Sequence, residues 1–402
     1  MKSKSSWLAT AAVAVCLLSR AGSAADLDEL IPGLYGGDGI TLAGAEGGPF
    51  PSHAPHFLVE SADTFNRLND VISAQVGAIP YASAGGGFAF RYDESLGTFV
   101  QTAQSFGPVY AERADTIGKG RFNLNVSFTA FKYDEFQGTD LDHFVVEALH
   151  EPDTLPPDDE RTSFELDKVL IDLNMDINVN ALAITGTYGL TDRLDVGFLA
   201  PLAHLDMSIF SHASVLKSPQ NMIPADIHTF EGGPESPNYR THDSASGLGD
   251  IVLRAKYHWL QSETNNLAGA LQVKLPTGDE HNFLGTGETT VRPFLVYSRS
   301  FGAFTPHVNF GCELNLDDSG QNSVEYAAGF DYGRKKLTLA MSVLGSREYD
   351  GDGIADTIVN AAVGLKWNPV QSLIVTSNLL MPLNDDGLRS KYVSTLAIER
   401  NF

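Results

Sequence analysis

From about residue 167 to its end, the chain alternates apolar and polar residues in one run after another. In KVLIDLNMDINV, Val169, Ile171, Leu173, Met175, Ile177 and Val179 share one parity; Lys168, Asp172, Asn174, Asp176 and Asn178 share the other. A period of two marks a strand with unlike faces. The same pattern holds in FTPHVNFGCELN, SVEYAAGFDYG, KLTLAMSVL, DTIVNAAVGLKWN, SLIVTSNLLMPL and the terminal YVSTLAIERNF. Each run covers roughly 9–12 residues, whereas strands of soluble sheets average about 5–6. That length lets a tilted strand cross a bilayer. Unpaired backbone groups in hydrocarbon cost several kcal/mol each, so such strands must close into a barrel.

The connections alternate as well. Short ones (GLTDR, QSETNN, GA, GRKK, NPVQ) fall at one end of the strands. Long or acidic ones (137–165, 207–246, 277–288, 317–321, 346–356, 384–390) fall at the other. Short inner turns and long outer loops are the habit of an outer-membrane barrel, whereas a secreted sandwich or propeller predicts neither property. Counting back from Phe402 gives about 14 strands, or 12 if the weakly patterned segments 98–107 and 86–94 lie outside the wall. The fold class expected is all-β: a transmembrane antiparallel barrel of about 12–14 strands with a short N-terminal plug containing a helix.

Composition narrows the setting. Fifty acidic residues against 27 basic ones give a net charge of -23, which argues against nucleic-acid binding and against acidic lipid headgroups as a main partner. At the amino end, Lys2 and Lys4 precede the apolar WLATAAVAVCLL and the small residues AGSAAD, a signal-peptide pattern over 1–25. Its removal takes Cys16 and leaves Cys312, so no intramolecular disulfide is expected. Residues 26–85 lack a strand period. They are rich in Gly and Pro, then place Phe65, Leu68, Val71 and Ile72 at helical spacing after Ser61. Their apolar content favours a plug or hatch over a free periplasmic tail, with the barrel over 86–402.

Three stretches carry a family resemblance: GGFAFRYDESLGTFVQTAQSFGPVYAERADTIGKGRFNLNVSFTAFKYDEFQG (85–138), GLGDIVLRAKYHWL (247–260) and LQVKLPTGDEHNFLGTGETTVRPFLVYSRSFGAFTPHVNFGCE (271–313). They resemble the outer-membrane transporter family named after the MetA pathway of phenol degradation, similar in architecture to fatty-acid and hydrophobic-compound channels. The resemblance implies an outer-membrane barrel of a Gram-negative bacterium that passes small hydrophobic or aromatic molecules. Residues 137–165 and 207–246 match nothing in it.

Candidate side chains follow from parity. Asp172, Asp176, Arg254, Lys256, His258, Lys274, Arg292, His307, Glu313, Glu325 and Lys366 are expected to face the lumen, lining a solute path or satisfying one another. Tyr110, Glu112, Arg113 and Asp115 are expected to join plug to wall. In DGDGIAD, Asp350, Asp352 and Asp356 offer a calcium loop, or an ordinary solvated turn; no other cofactor is expected. His242, Ser244 and Ser246 lack a nucleophile elbow and an evident orienting partner, so no enzyme is expected. Expected partners are outer-membrane lipid, lipopolysaccharide, a small hydrophobic solute and the barrel-assembly machinery, engaged through Phe402. The alternative is a structural or adhesive barrel with no transport role.

Overall fold

The computed structural model describes residues 26–35, 68–69, 71–72, 75, 90–93, 98–101, 105–149, 167–219, 228–230, 234–236, 238–349, 356–370 and 372–402. The expected signal segment 1–25, most of 26–85, and Asp350 and Asp352 lie outside these. Twelve strands form an up-and-down ring. They are β1 (Phe122–Tyr133), β2 (Lys168–Gly189), β3 (Leu194–Leu216), β4 (Ile251–Gln261), β5 (Asn265–Leu275), β6 (Thr290–Arg299), β7 (Phe304–Asn315), β8 (Ser323–Arg334), β9 (Leu337–Glu348), β10 (Thr357–Val370), β11 (Leu373–Pro382) and β12 (Val393–Asn401). Each pairs antiparallel with the next, and β12 closes on β1 from Ser394 opposite Ala130 to Asn401 opposite Asn123. Beyond that ladder, the Phe402 amide donates to the Phe122 carbonyl at 2.8 Å.

Of the segments 86–94 and 98–107, expected as possible first strands, the described residues lie outside the ring. Phe90–Asp93 and Thr98–Gln101 pair with each other as a separate hairpin. The reason is topological: β12 and β1 use up both free edges, so the ring has no place for another strand.

On β4 to β12 the parity rule holds. Leu253, Tyr257, Trp259, Val308, Phe310, Leu339, Trp367, Leu396 and Ile398 are exposed on the outer face, where lipid lies. On β2 and β3, 22 and 23 residues long, the rule reverses half-way. Near the inner end of β2, Leu182, Ile184 and Tyr188 face out while Thr185 and Thr187 are buried inside. Beyond Asn180 the apolar residues Val169, Ile171, Leu173, Met175, Ile177 and Val179 turn inward and are fully buried. Leu205, Met207 and Ile209 of β3 do the same. These upper halves stand beyond the bilayer, where water wets the outer face and the apolar side becomes a core. Asp172 and Asp176 therefore point outward, about half exposed, which corrects their expected place in the lumen. Two flanking strands widen the projection: Phe144–Leu149 beside β2 and Tyr239–Leu248 beside β3.

That core receives the amino-terminal segment. The 3-10 turns Leu27–Glu29 and Pro32–Tyr35, with helical Leu68, Val71 and Ile72, pack into one cluster with Met175, Ile177, Met207 and Phe283. The reversal makes a prediction. Met175→Ala should cost about 2–5 kcal/mol in urea unfolding of the vesicle-embedded protein. The adjacent Asp176→Ala should stay within about 0.5 kcal/mol.

Candidate functional site

The lumen is crossed by an extended segment, residues 105–121, that threads from β9 to the start of β1 and touches most of the wall. The Phe106 amide donates to Thr338 Oγ1 of β9 at 2.9 Å, and Tyr110 Oη meets Thr395 Oγ1 of β12 at 3.0 Å. The Glu112 amide donates to Asn309 Oδ1 of β7 at 2.7 Å, and the Asn309 amide group returns a bond to the Glu112 carbonyl at 3.0 Å. Further on, the Ile117 amide donates to Asp195 Oδ2 of β3 at 3.0 Å, and the Gly120 amide to the Gly189 carbonyl at 2.7 Å.

Buried charge fixes this segment. Arg113 pairs with Asp331 of β8, which is wholly buried and also accepts from Ser105. Glu112 pairs with Arg254 of β4. Lys256 donates to the carbonyls of Arg113 (3.1 Å) and Asp115 (2.6 Å), and Lys366 to that of Phe106 (2.9 Å). A buried ammonium must find oxygen partners, and the backbone of this segment provides them to Lys256 and Lys366. The His307 ring lies 3.5 Å from Asp331, and His258 is buried on the same inner face of the wall. Room for the segment comes from missing side chains: a Cβ added to Gly364 would sit 2.6 Å from Val109 Cγ2.

At the outer mouth a second layer forms around Asp250. Its carboxylate accepts from the amides of Thr277 (3.1 Å), Gly278 (3.0 Å) and Thr286 (2.9 Å), winding loop 277–288 into a fixed shape. The loop drives Phe283 into the apolar cluster at φ 54, a left-handed conformation that its full burial offsets. The loop also holds the amino-terminal segment. The Asp28 amide donates to the His281 carbonyl at 3.0 Å, His281 Nδ1 lies 2.8 Å from Asp28 Oδ2, and the Asn282 amide group donates to Asp26 at 3.2 Å. The last outer loop joins in, as Leu388–Arg389 pairs with Glu135–Phe136 and the Leu388 amide donates to Gln75.

Between the outer cap and the inner floor lies a cavity of about 450 Å³. Gln75, Phe283, Leu284 and Leu388 form its roof, and Tyr110 and Glu112 its floor. Its walls differ. The β9 to β12 and β1 side presents Leu344, Leu380, Val393, Phe131 and Tyr133, with Ser346, Asn360 and Arg389 among them. The β4 to β8 side presents Arg254, Lys274, Arg292, Glu313 and Glu325, with Arg292 paired to Glu325 and its guanidinium 5.2 Å from the Phe294 ring centroid. Apolar walls with a few convergent polar groups are the usual make-up of a small-molecule site.

This geometry assigns each candidate a place. Arg254, Lys274, Arg292, Glu313 and Glu325 line the cavity; Lys256, His258, His307 and Lys366 lie deeper in the lumen, around the threading segment. Asp331, Asn309, Asp195, Asp250 and Phe283 escaped the sequence reading. A carboxylate at inward parity among glycines, as Asp331 is between Gly329 and Gly333, was the available sign of a close chain. Ser246 meets His204 at 2.7 Å, while His242 Nδ1 lies 3.2 Å from the Met207 carbonyl oxygen. Among the described residues, no group of three or more His, Cys, Asp or Glu is placed to hold a metal. Of the proposed calcium loop only Asp356 is described.

The family described as "Putative MetA-pathway of phenol degradation" matches residues 167–381, more than half of the chain. The chain belongs to this family. With the closed ring, it is an outer-membrane β-barrel of a Gram-negative bacterium. Searched against curated proteins, it matches none. Among solved structures it is similar to the COG4313 outer membrane channel from Pseudomonas putida F1, at 16% identity and a TM-score of 0.44 over 71% of this chain and 97% of that one. It is also similar to the toluene transporter TbuX of Ralstonia pickettii, at 11% identity and a TM-score of 0.37, covering 71% and 90%. The CymD monoaromatic hydrocarbon channel follows at 10% and 0.34, covering 71% and 89%. At such scores the likeness decides nothing about a solute.

The roof contact contains a titratable group, His281. The hydrogen bond and then the charge of Asp28 raise the pKa of His281 above its ordinary 6.5, with Glu280 and Asp26 adding to the effect. A raised folded-state value means the pair is fully present below the ordinary histidine value and is lost as pH rises through the raised one. A spin label on Gly33→Cys, in a Cys312→Ser background, should therefore gain mobility as pH rises above the ordinary histidine value. His281→Gln should flatten that profile, and identical profiles in the two proteins would contradict the assignment.

Proposed function

We propose that this barrel passes small hydrophobic or aromatic compounds passively from the outside to the periplasm. The observation that carries the reading is the cavity between roof and floor, with a mainly apolar arc for a ring or hydrocarbon body and a charged arc for a polar substituent. Its volume is ample for a substituted benzene, since a cavity of about 150 Å³ already takes benzene, and it leaves room for larger hydrophobic molecules. Family membership agrees with an aromatic solute. In this reading the amino-terminal segment and loop 277–288 act as the outer gate, and residues 105–121 restrict the inner path. The acidic outer loops meet the divalent ions of the lipopolysaccharide surface, and the strand ending at Phe402 engages the assembly machinery.

The test is solute flux through a locked and an unlocked roof. Asp28→Cys with His281→Cys places two thiols where the native side chains touch. Proteoliposomes of the oxidised double variant should pass a neutral monocyclic aromatic no faster than protein-free vesicles, and reduction should restore the wild-type flux. Wild-type flux equal to that of protein-free vesicles would overturn the channel reading and favour the structural or adhesive one.

A further inference from the structure

The chain's charge is polarised along the barrel axis. Acidic residues fill the outer connections, including Asp134, Glu135, Asp279, Glu280, Asp317 and Asp318. The inner end is the reverse. The turn between β8 and β9 is Arg334, Lys335 and Lys336, all exposed. Lys119 before β1 and Arg193 between β2 and β3 are exposed at the same level. Arg299 and Arg400 complete the ring, each folded over an aromatic neighbour, at 4.8 Å from the Phe301 centroid and 5.0 Å from that of Phe402. The described inner turns carry two acidic side chains, Asp192 and Glu263, besides the terminal carboxylate.

Depth is set by the aromatic belt. Trp259, Phe301, Trp367 and Phe402 are about half exposed on the lipid side of the inner strand ends, the position such side chains take at the boundary between hydrocarbon and headgroups. Basic side chains immediately beyond that belt sit among the headgroups of the inner leaflet. A guanidinium folded over an aromatic ring keeps its charge at that boundary. The whole-chain charge of -23 conceals this, because it averages two ends of opposite sign.

We infer that the inner rim is a binding surface for phospholipids with a net negative headgroup, such as phosphatidylglycerol, in the periplasmic leaflet. Each lysine or arginine near an anionic surface gains an attraction that salt screens. Neutral zwitterionic headgroups offer no such gain, so the annular lipid at this end should be enriched in anionic species.

The chain supplies its own reporter. Apart from Trp7 in the expected signal segment, its tryptophans are Trp259 and Trp367, both at the inner rim. Protein purified from outer membranes is placed in vesicles containing either brominated phosphatidylglycerol or brominated phosphatidylcholine, and quenching of tryptophan fluorescence gives their relative affinity. The expected preference for the anionic lipid is about fivefold, the ratio one well-placed basic side chain supplies at an anionic surface. It should shrink in high salt, and it should fall towards unity in the Arg334→Gln, Lys335→Gln, Lys336→Gln, Lys119→Gln variant. Heat-modified gel mobility shows whether that variant is folded. If it is not, the salt dependence of the wild-type preference decides alone. Equal quenching by the two lipids, or a preference that neither salt nor the variant changes, overturns the inference.

Discussion

Everything in this molecule follows from the rule that no backbone group goes unpaired in hydrocarbon. The pairing of β12 with β1 meets that rule, and with it the ring has a fixed circumference and a lumen that must be filled. The filling is the chain itself. Residues 105–121 have no strand period because they serve as cargo of the wall, held by Arg113 on Asp331 and Glu112 on Arg254. Removing one partner of a buried pair typically costs about 3–5 kcal/mol, so this floor is part of the barrel's structure.

The roof is built from other materials. His281 and Asp28 meet at an edge open to water, and the backbone of the amino-terminal segment reaches the loop through one hydrogen bond, from the Asp28 amide to the His281 carbonyl. Exposed pairs of this sort are screened and readily exchanged for water. The roof thus joins a buried apolar cluster, with Leu27, Ile31 and Phe283, to a solvent-edged polar contact, whereas the floor is held by buried charge. Asp250 contributes indirectly by fixing the loop that presents His281 and Phe283.

Much of this was legible in the sequence, and the exceptions have a common cause. β4 to β12 could be read because one face of each meets lipid and the other a hydrated lumen, so parity alone identifies the sides. The same rule failed on β2 and β3, where the outer solvent changes from lipid to water part-way along a single strand. Asp172 and Asp176 were misplaced for that reason, although the shift of apolar residues from the odd positions up to Val179 to Leu182 and Ile184 recorded the change. Tyr110, Glu112, Arg113 and Asp115 were expected between the amino-terminal plug and the wall; Tyr110, Glu112 and Arg113 hold their own segment to the wall. Their partners Asp331 and Asn309 did not stand out, because a lumen-facing polar side chain looks the same whether it meets water or another chain. The cavity was illegible for a related reason: its walls come from nearly every strand, and its roof from loops with no periodicity.

The central claim is that the space between roof and floor holds a small aromatic molecule. Crystals grown with bromobenzene and measured at the bromine absorption edge test it directly. The account predicts an anomalous peak inside the barrel, beside Phe131, Tyr133, Leu344 and Leu380. Bromine confined to the outer, lipid-facing surface, with nothing inside the wall, would contradict it.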